Sequence, residues 1–204
     1  MKALLLLGFQ IDFLPGGSLS IPDSGRAVPL ANTYMPLFSE VVLCLDQHPA
    51  DHSSFAANHL WRRPGQTIPI ADQPRLLWDM HCVKGSFGAE IAPGLDTERI
   101  TFTCQKGTDP SGESYSAFWN SEHQEPSGLS EYLSAQSISG LYLMGMPLEY
   151  EILHTALDAL QLGLKTIVLR DACFPLQPEQ QSETLRQLEA AGATIILTKA
   201  LNPA

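Results

Sequence analysis

Short apolar runs alternate along this chain with segments of helical periodicity, and that alternation restricts the fold more than any other feature. Residues 3–9 are a continuous apolar run, as expected of a strand covered on both faces. Pro15-Gly16-Gly17 then forces a loop. Further strand-like runs fall at 40–45, 99–104, 140–145, 165–169 and 194–197. Helical patterns lie at 25–39, 129–136, 150–162 and 178–191. Strand–helix alternation of this kind predicts an α/β fold: one three-layer α/β/α domain over residues 1–204, with a doubly wound, mostly parallel sheet of about six strands. In such sheets the site lies beyond the carboxyl ends of the strands. Asp46, Lys106 and the segment after Gly145 all fall at such ends.

A length of 204 residues, 44% hydrophobic and 17% charged, suits one globular core. The net charge of −10, with no cluster of Lys and Arg, argues against a nucleic-acid partner. No apolar stretch is long enough to span a bilayer, and the apolar start reads as a buried first strand, not a signal peptide. Cys44, Cys82, Cys104 and Cys173 form no CxxC pair, which fits the reduced thiols of a cytoplasmic protein. A homo-oligomer is compatible with all of this.

From Asp46 to about residue 99 the chain is rich in Pro, His and Gly and has little periodicity. A loop region this long inside a compact domain is usually functional. It opens with Asp46-Gln47-His48-Pro49-Ala50-Asp51-His52 directly on a strand end. A carboxylate and two imidazoles supply mixed O/N donors that suit zinc, manganese or iron. By spacing alone, a loop with solvated histidines is the simpler reading. His81 is a candidate third donor, but nothing in the spacing brings it near.

Longer motifs resolve that ambiguity. The stretch Asp46-x-His48-Pro49-Ala50-Asp51-His52-x-Ser54-Phe55-Ala56-Ala57-Asn58-His59 resembles the metal-binding stretch of nicotinamidases, in the isochorismatase-like superfamily. Asp12-Phe13-x-Pro15-Gly16-Gly17, Pro64-Gly65-Gln66-Thr67, Leu77-Trp78-x-x-His81-Cys82-Val83, Lys106-Gly107-Thr108-Asp109-Pro110 and Thr155-Ala156-Leu157-Asp158-Ala159-Leu160 match family segments in the same order. The resemblance implies a divalent metal, zinc first and manganese or iron as alternatives, held by Asp46, His48 and His81. His52 would lie beside the metal as a candidate further ligand. Phe13 and Trp78 would flank a nicotinamide-like ring, with Met146 and Pro147 as further substrate contacts. Gln47 stands where many members carry an aromatic residue.

The catalytic positions depart from the family pattern. Similar enzymes use an Asp at the end of the first strand, a Lys at the end of a central strand, and a Cys at a helix N-terminus where the dipole favours thiolate. Here those positions align with Gly8, Lys106 and Glu151, with Asp12-Phe13 and Thr155-Ala156-Leu157-Asp158 fixing the register. A carboxylate near a helix N-terminus and Lys106 is expected to stay ionised with a lowered pKa, forming an ion pair with that lysine. The resemblance also implies a cis peptide at Met146-Pro147, where proline removes an N–H from the expected oxyanion site. Cys104, two residues before Lys106, is a candidate replacement nucleophile.

The expected function is therefore a family member with an intact metal site but no amidase chemistry, a ligand-binding pseudo-enzyme for a small nicotinamide-like molecule. The alternative is a metal-dependent hydrolase of a C–N or ester bond, with Glu151, Glu149 or His52 moving protons. An ordinary nicotinamidase is the third reading.

Overall fold

The computed structural model describes residues 1–121 and 123–201. Strands β1 (Lys2–Leu7), β2 (Glu40–Asp46), β3 (Phe102–Lys106), β4 (Gly140–Gly145), β5 (Lys165–Cys173) and β6 (Thr194–Ile196) form one sheet. Their order is β6-β5-β4-β1-β2-β3, and every neighbouring pair is parallel. The strand order reverses between β1 and β4, so the crevice beyond their carboxyl ends is the place where a doubly wound sheet binds ligands.

The leucine run of β1 works because alternate side chains face opposite layers. Leu4 and Leu6 join Ala27 and Ala31 of α1 (Ala27–Tyr34) in one core cluster. Leu5 and Leu7 join the other, with residues of α2 (Leu129–Ala135), α3 (Leu153–Gln161) and α4 (Gln181–Ala191). Each leucine fully withdrawn from water contributes about 1.5–3 kcal/mol. Among the described residues, no helix is long and apolar enough to cross a membrane.

Several elements differ from the pattern expected from sequence, among them β5, which runs on to Cys173. Strand β3 covers Phe102–Lys106, not 99–104, and Thr97–Arg99 is a 3-10 turn. β3 is an edge strand with Thr103 and Gln105 exposed, so its apolar signal is diluted, and its register is set by β2, with Asp46 opposite Lys106. Helix α1 is shorter than the 25–39 pattern, because 3-10 turns at Ser24–Arg26 and Met35–Leu37, the second holding Pro36, bound it. The long loop contains a hairpin, Thr67–Ile70 with Gln73–Leu76, whose Pro69 and Pro74 hide its strand character. A second small hairpin pairs Trp119–Ser121 with Glu125–Pro126.

Candidate metal centre and adjoining cavity

Asp46 ends β2 and is tied to the end of β1 by a two-way contact with Gln10. The Gln10 Nε2 donates to Asp46 O at 2.8 Å, and the Asp46 N–H donates to Gln10 Oε1 at 2.7 Å. His48 follows on a backbone that pairs with the segment after His81: His48 N donates to Cys82 O, and Lys84 N donates to His48 O. Cys82, at a positive φ of 46°, is held by its N–H on Asp12 Oδ2 at 2.7 Å. This pairing, invisible in the spacing, carries His81 across the loop to the strand end.

Asp46, His48 and His81 are all buried and offer donor atoms within 4.8 Å of one another. Their hydrogen bonds select the tautomer a metal needs. His48 Nδ1–H donates to Gly107 O at 3.0 Å and His81 Nδ1–H to Asp79 O at 2.8 Å, because a carbonyl can only accept. Both Nε2 lone pairs are then free to ligate, and the backbone carbonyls provide the outer support typical of metal-binding histidines. Burial, with help from His48, lowers the His81 pKa to about 4, so the ring is neutral at physiological pH. The residues fit a divalent metal.

His52 does not join them. Its Nδ1 accepts from the Ser54 N–H at 3.2 Å and meets Ser54 Oγ at 2.8 Å, while Nε2 donates to Gly112 O at 3.0 Å. With both nitrogens occupied it supports the loop and has no lone pair for a metal.

Glycine is required at 107 for this geometry. Its φ is +70°, and a Cβ there would lie 2.4 Å from the His48 ring. Gly8 is equally constrained, with φ +68° and a virtual Cβ 2.2 Å from Met146 O. Met146 itself is fully buried in the apolar core on the α1 side and does not line the cavity, contrary to the expectation of a substrate contact. It continues the inward alternation of Met144 at the end of β4. The Met146-Pro147 peptide is cis, and Pro147 does reach the cavity wall.

The cavity is a half-open cleft of about 350 Å³ of atom-free space, part of it open solvent at the mouth. Phe13, Trp78, Tyr115 and Tyr150 form aromatic walls, and Asp46, His48, His81, Lys106, Glu113 and Glu151 supply the polar lining. Trp78 packs edge-on to Tyr150 at 4.9 Å and to His81 at 6.4 Å. Lys106 Nζ lies 2.5 Å from Asp46 Oδ1 and 3.6 Å from Glu151 Oε1, and donates to Ser114 O at 3.2 Å. Burial alone raises the Asp46 carboxyl, but Lys106, then His48 and His81, hold it well below the usual range. Burial lowers Lys106, and the charges of Asp46 and Glu151 outweigh it, leaving the ammonium above its ordinary pKa.

The expectation of a lowered Glu151 pKa is overturned. Burial and the neighbouring Asp46 charge push this carboxyl well above its ordinary value, and the pull of Lys106 does not compensate. The lysine's shorter contact is with Asp46, whose carboxyl also lies against Glu151, so Glu151 is left with a half-shared cation. The backbone there is a π-helical turn, Leu148–Ile152, feeding α3.

Among the described residues, no cysteine lines the cavity. Cys104 is buried opposite Cys44 on adjacent strands, one layer beneath Lys106, and the Cys104 hydrogen bond and burial push the Cys44 thiol up. Burial likewise raises Cys82 and Cys173. Glu149 also points elsewhere: its two oxygens accept from Leu176 N at 3.0 Å and Gln177 N at 2.6 Å. It and His52 are structural, not proton carriers. Glu113, Tyr115 and Tyr150 escaped sequence reasoning. They sit on irregular backbone or in a helix start, where periodicity gives no facing information.

An isochorismatase domain model matches residues 2–200. The nicotinamidase of Escherichia coli (strain K12) is 36% identical over 202 residues, covering 95% of this chain and 93% of that protein. The solved Acinetobacter baumanii nicotinamidase/pyrazinamidase superposes with a TM-score of 0.93 at 33% identity over 98% of each chain. A yeast nicotinamidase structure, bound to the inhibitor nicotinaldehyde, gives 0.88 at 30% identity over 97% of this chain and 100% of that one. Sheet order, metal-competent triad and relatives agree, and the chain belongs to the nicotinamidase family of isochorismatase domains.

Proposed function

We propose that this chain binds a small nicotinamide-like ring beside a divalent metal and does not hydrolyse its amide. The carrying observation is the surroundings of Lys106: carboxyl groups of Asp46 and Glu151 flank it, and among the described residues no cysteine lines the cavity it faces. Thiol-based amide hydrolysis needs a thiolate, a base and oxyanion donors. Glu151 stands at the aligned nucleophile position, and a buried carboxyl with a raised pKa is a poor nucleophile toward an amide. Gly8 stands at the aligned base position, and its backbone leaves no room for a side chain. Pro147 has no N–H to offer an oxyanion.

Asp46, His48 and His81 would hold the metal, and zinc suits a carboxylate with two imidazole nitrogens. Such an ion would supply Lewis acidity and a fixed anchor for a ligand's donor atom. Phe13 and Trp78 would contain the ring, as the ligand of the yeast relative suggests. The second reading, a metal-dependent hydrolase of a C–N or ester bond, is favoured by one observation: Glu113 and Glu151 line the same cavity with raised pKa values and could exchange protons. Ammonia release from nicotinamide and pyrazinamide by metal-replete protein tests the main reading, and sustained turnover would end it. Turnover of an ester or amide panel that chelation abolishes and thiol alkylation spares would establish the second.

A further inference from the structure

Among the described residues, four buried carboxyl oxygens of the cavity lining make no hydrogen bond of good geometry: Oε1 and Oε2 of Glu151, Oε2 of Glu113 and Oδ1 of Asp46, of which only the last has a cation at short range, Lys106 at 2.5 Å. Glu151 is only 2% exposed, so water does not satisfy it freely. Native interiors rarely leave acceptors orphaned, and such atoms in a pocket mark where donors arrive. Lys106, the one Lys or Arg of the lining among the described residues, cannot serve both: its short contact is with Asp46, and Glu151 Oε1 at 3.6 Å is beyond hydrogen-bond reach. The remaining walls are aromatic, with Tyr115 and Tyr150 5.3 Å apart and Trp78 against Tyr150. Aromatic faces attract cations, and carboxyl oxygens accept N–H donors whether or not they carry a proton.

From this combination we propose that the cavity selects an aromatic ring bearing a cationic, N–H-rich arm, an amidine or a protonated amine, with Glu151 and Glu113 as its acceptors. The inference rests on the ring-binding reading above and names the ligand class for that site. A neutral carboxamide turns a carbonyl acceptor toward acceptors, and a carboxylate meets like charge. An amidinium has the carboxamide's shape but offers donors from both of its nitrogens.

Calorimetric titration of the zinc-loaded full chain at neutral pH with pyridine-3-carboxamidine, nicotinamide and nicotinate decides it. The amidine is expected to bind about tenfold or more tighter than nicotinamide, as charge-assisted hydrogen bonds are roughly twice as strong as neutral ones, with nicotinate weakest. Glu151→Gln and Glu113→Gln should each shrink the ratio of amidine to nicotinamide affinity, whatever they do to the two affinities separately. Should Glu151→Gln fail to fold, Glu113→Gln carries the comparison. Equal affinities for amidine and carboxamide, or a preference for nicotinate, overturn the proposal and leave ring binding standing. If none of the three binds, the ring-binding reading falls and this inference with it. Ammonia release is followed in the same samples, so turnover, which would end the non-hydrolytic reading, is read apart from the affinity order.

Discussion

Lys106 Nζ lies 2.5 Å from Asp46 Oδ1, across two adjacent strand ends held in register. A residue able to ligate a metal is thus also the main counter-ion of the lysine that lines the cavity. Removing one partner of a buried pair strands the other charge, at a cost of about 3–5 kcal/mol. Lys106→Met should therefore lower stability by that amount in denaturant unfolding.

Glu151→Gln should behave differently. Glu151 sits 3.6 Å from the ammonium and is disfavoured as an anion by burial and by Asp46. A neutral side chain of the same shape loses little, so the expected change is within about 1 kcal/mol, in the range of ordinary substitutions. A loss as large as that of Lys106→Met would show that Glu151, not Asp46, is the partner that matters.

Gly107→Ala should weaken metal binding without touching a ligand. The added methyl would meet the His48 ring at 2.4 Å and displace the Gly107 carbonyl that fixes its tautomer. Outer-sphere partners of this kind are worth about 10–100-fold in metal affinity. Competition with a chromogenic chelator measures it, and unchanged affinity would count against His48 as a ligand.

Metal-free protein should lose stability on mild acidification. The folded pKa values of His52 and His81 are lowered to about 4 from an ordinary 6.5. The unfolded chain then binds more protons between those values, so stability rises with pH across that window and is lost as pH falls from 6.5 toward 4. At 1.36 kcal/mol per unit the two buried rings together contribute up to roughly 6–7 kcal/mol. Thermal unfolding at steps through this range, with chelator present, checks the slope. A flat profile would mean that neither ring is held neutral.

Much of the sheet was legible because β1, β2 and β4 are buried on both faces and read as unbroken apolar runs. The Asp46 and His48 pair was legible because it directly follows such a run. His81 was reachable only by resemblance, since its approach depends on the loop pairing of His48 with Cys82 and Lys84. The raised pKa of Glu151 is not legible in the sequence, because burial and Asp46 act through space and helix-terminus reasoning includes neither. The place of Met146 in the core is not legible either, because motif position does not tell which layer a strand-end side chain enters.

Restoring amidase activity should need more than the nucleophile. Glu151→Cys would place a thiol in the π-helical turn that feeds α3, near Lys106, yet no acidic side chain would stand at position 8 to manage its proton. Adding Gly8→Asp meets two obstacles: φ is +68°, and the new Cβ would lie 2.2 Å from Met146 O. A non-glycine residue in that backbone region costs on the order of 1–3 kcal/mol before the clash is counted. The expected outcome is that Glu151→Cys alone releases no ammonia from nicotinamide, and that the double variant is destabilised by more than about 3 kcal/mol and also stays inactive. Since the clashing atom is the carbonyl before Pro147, replacing the Met146-Pro147 pair along with both residues is the variant expected to relieve it. Ammonia release from Glu151→Cys alone would show that Glu113 or Asp46 can act as the base, and that the substitution at position 151 by itself silenced the site.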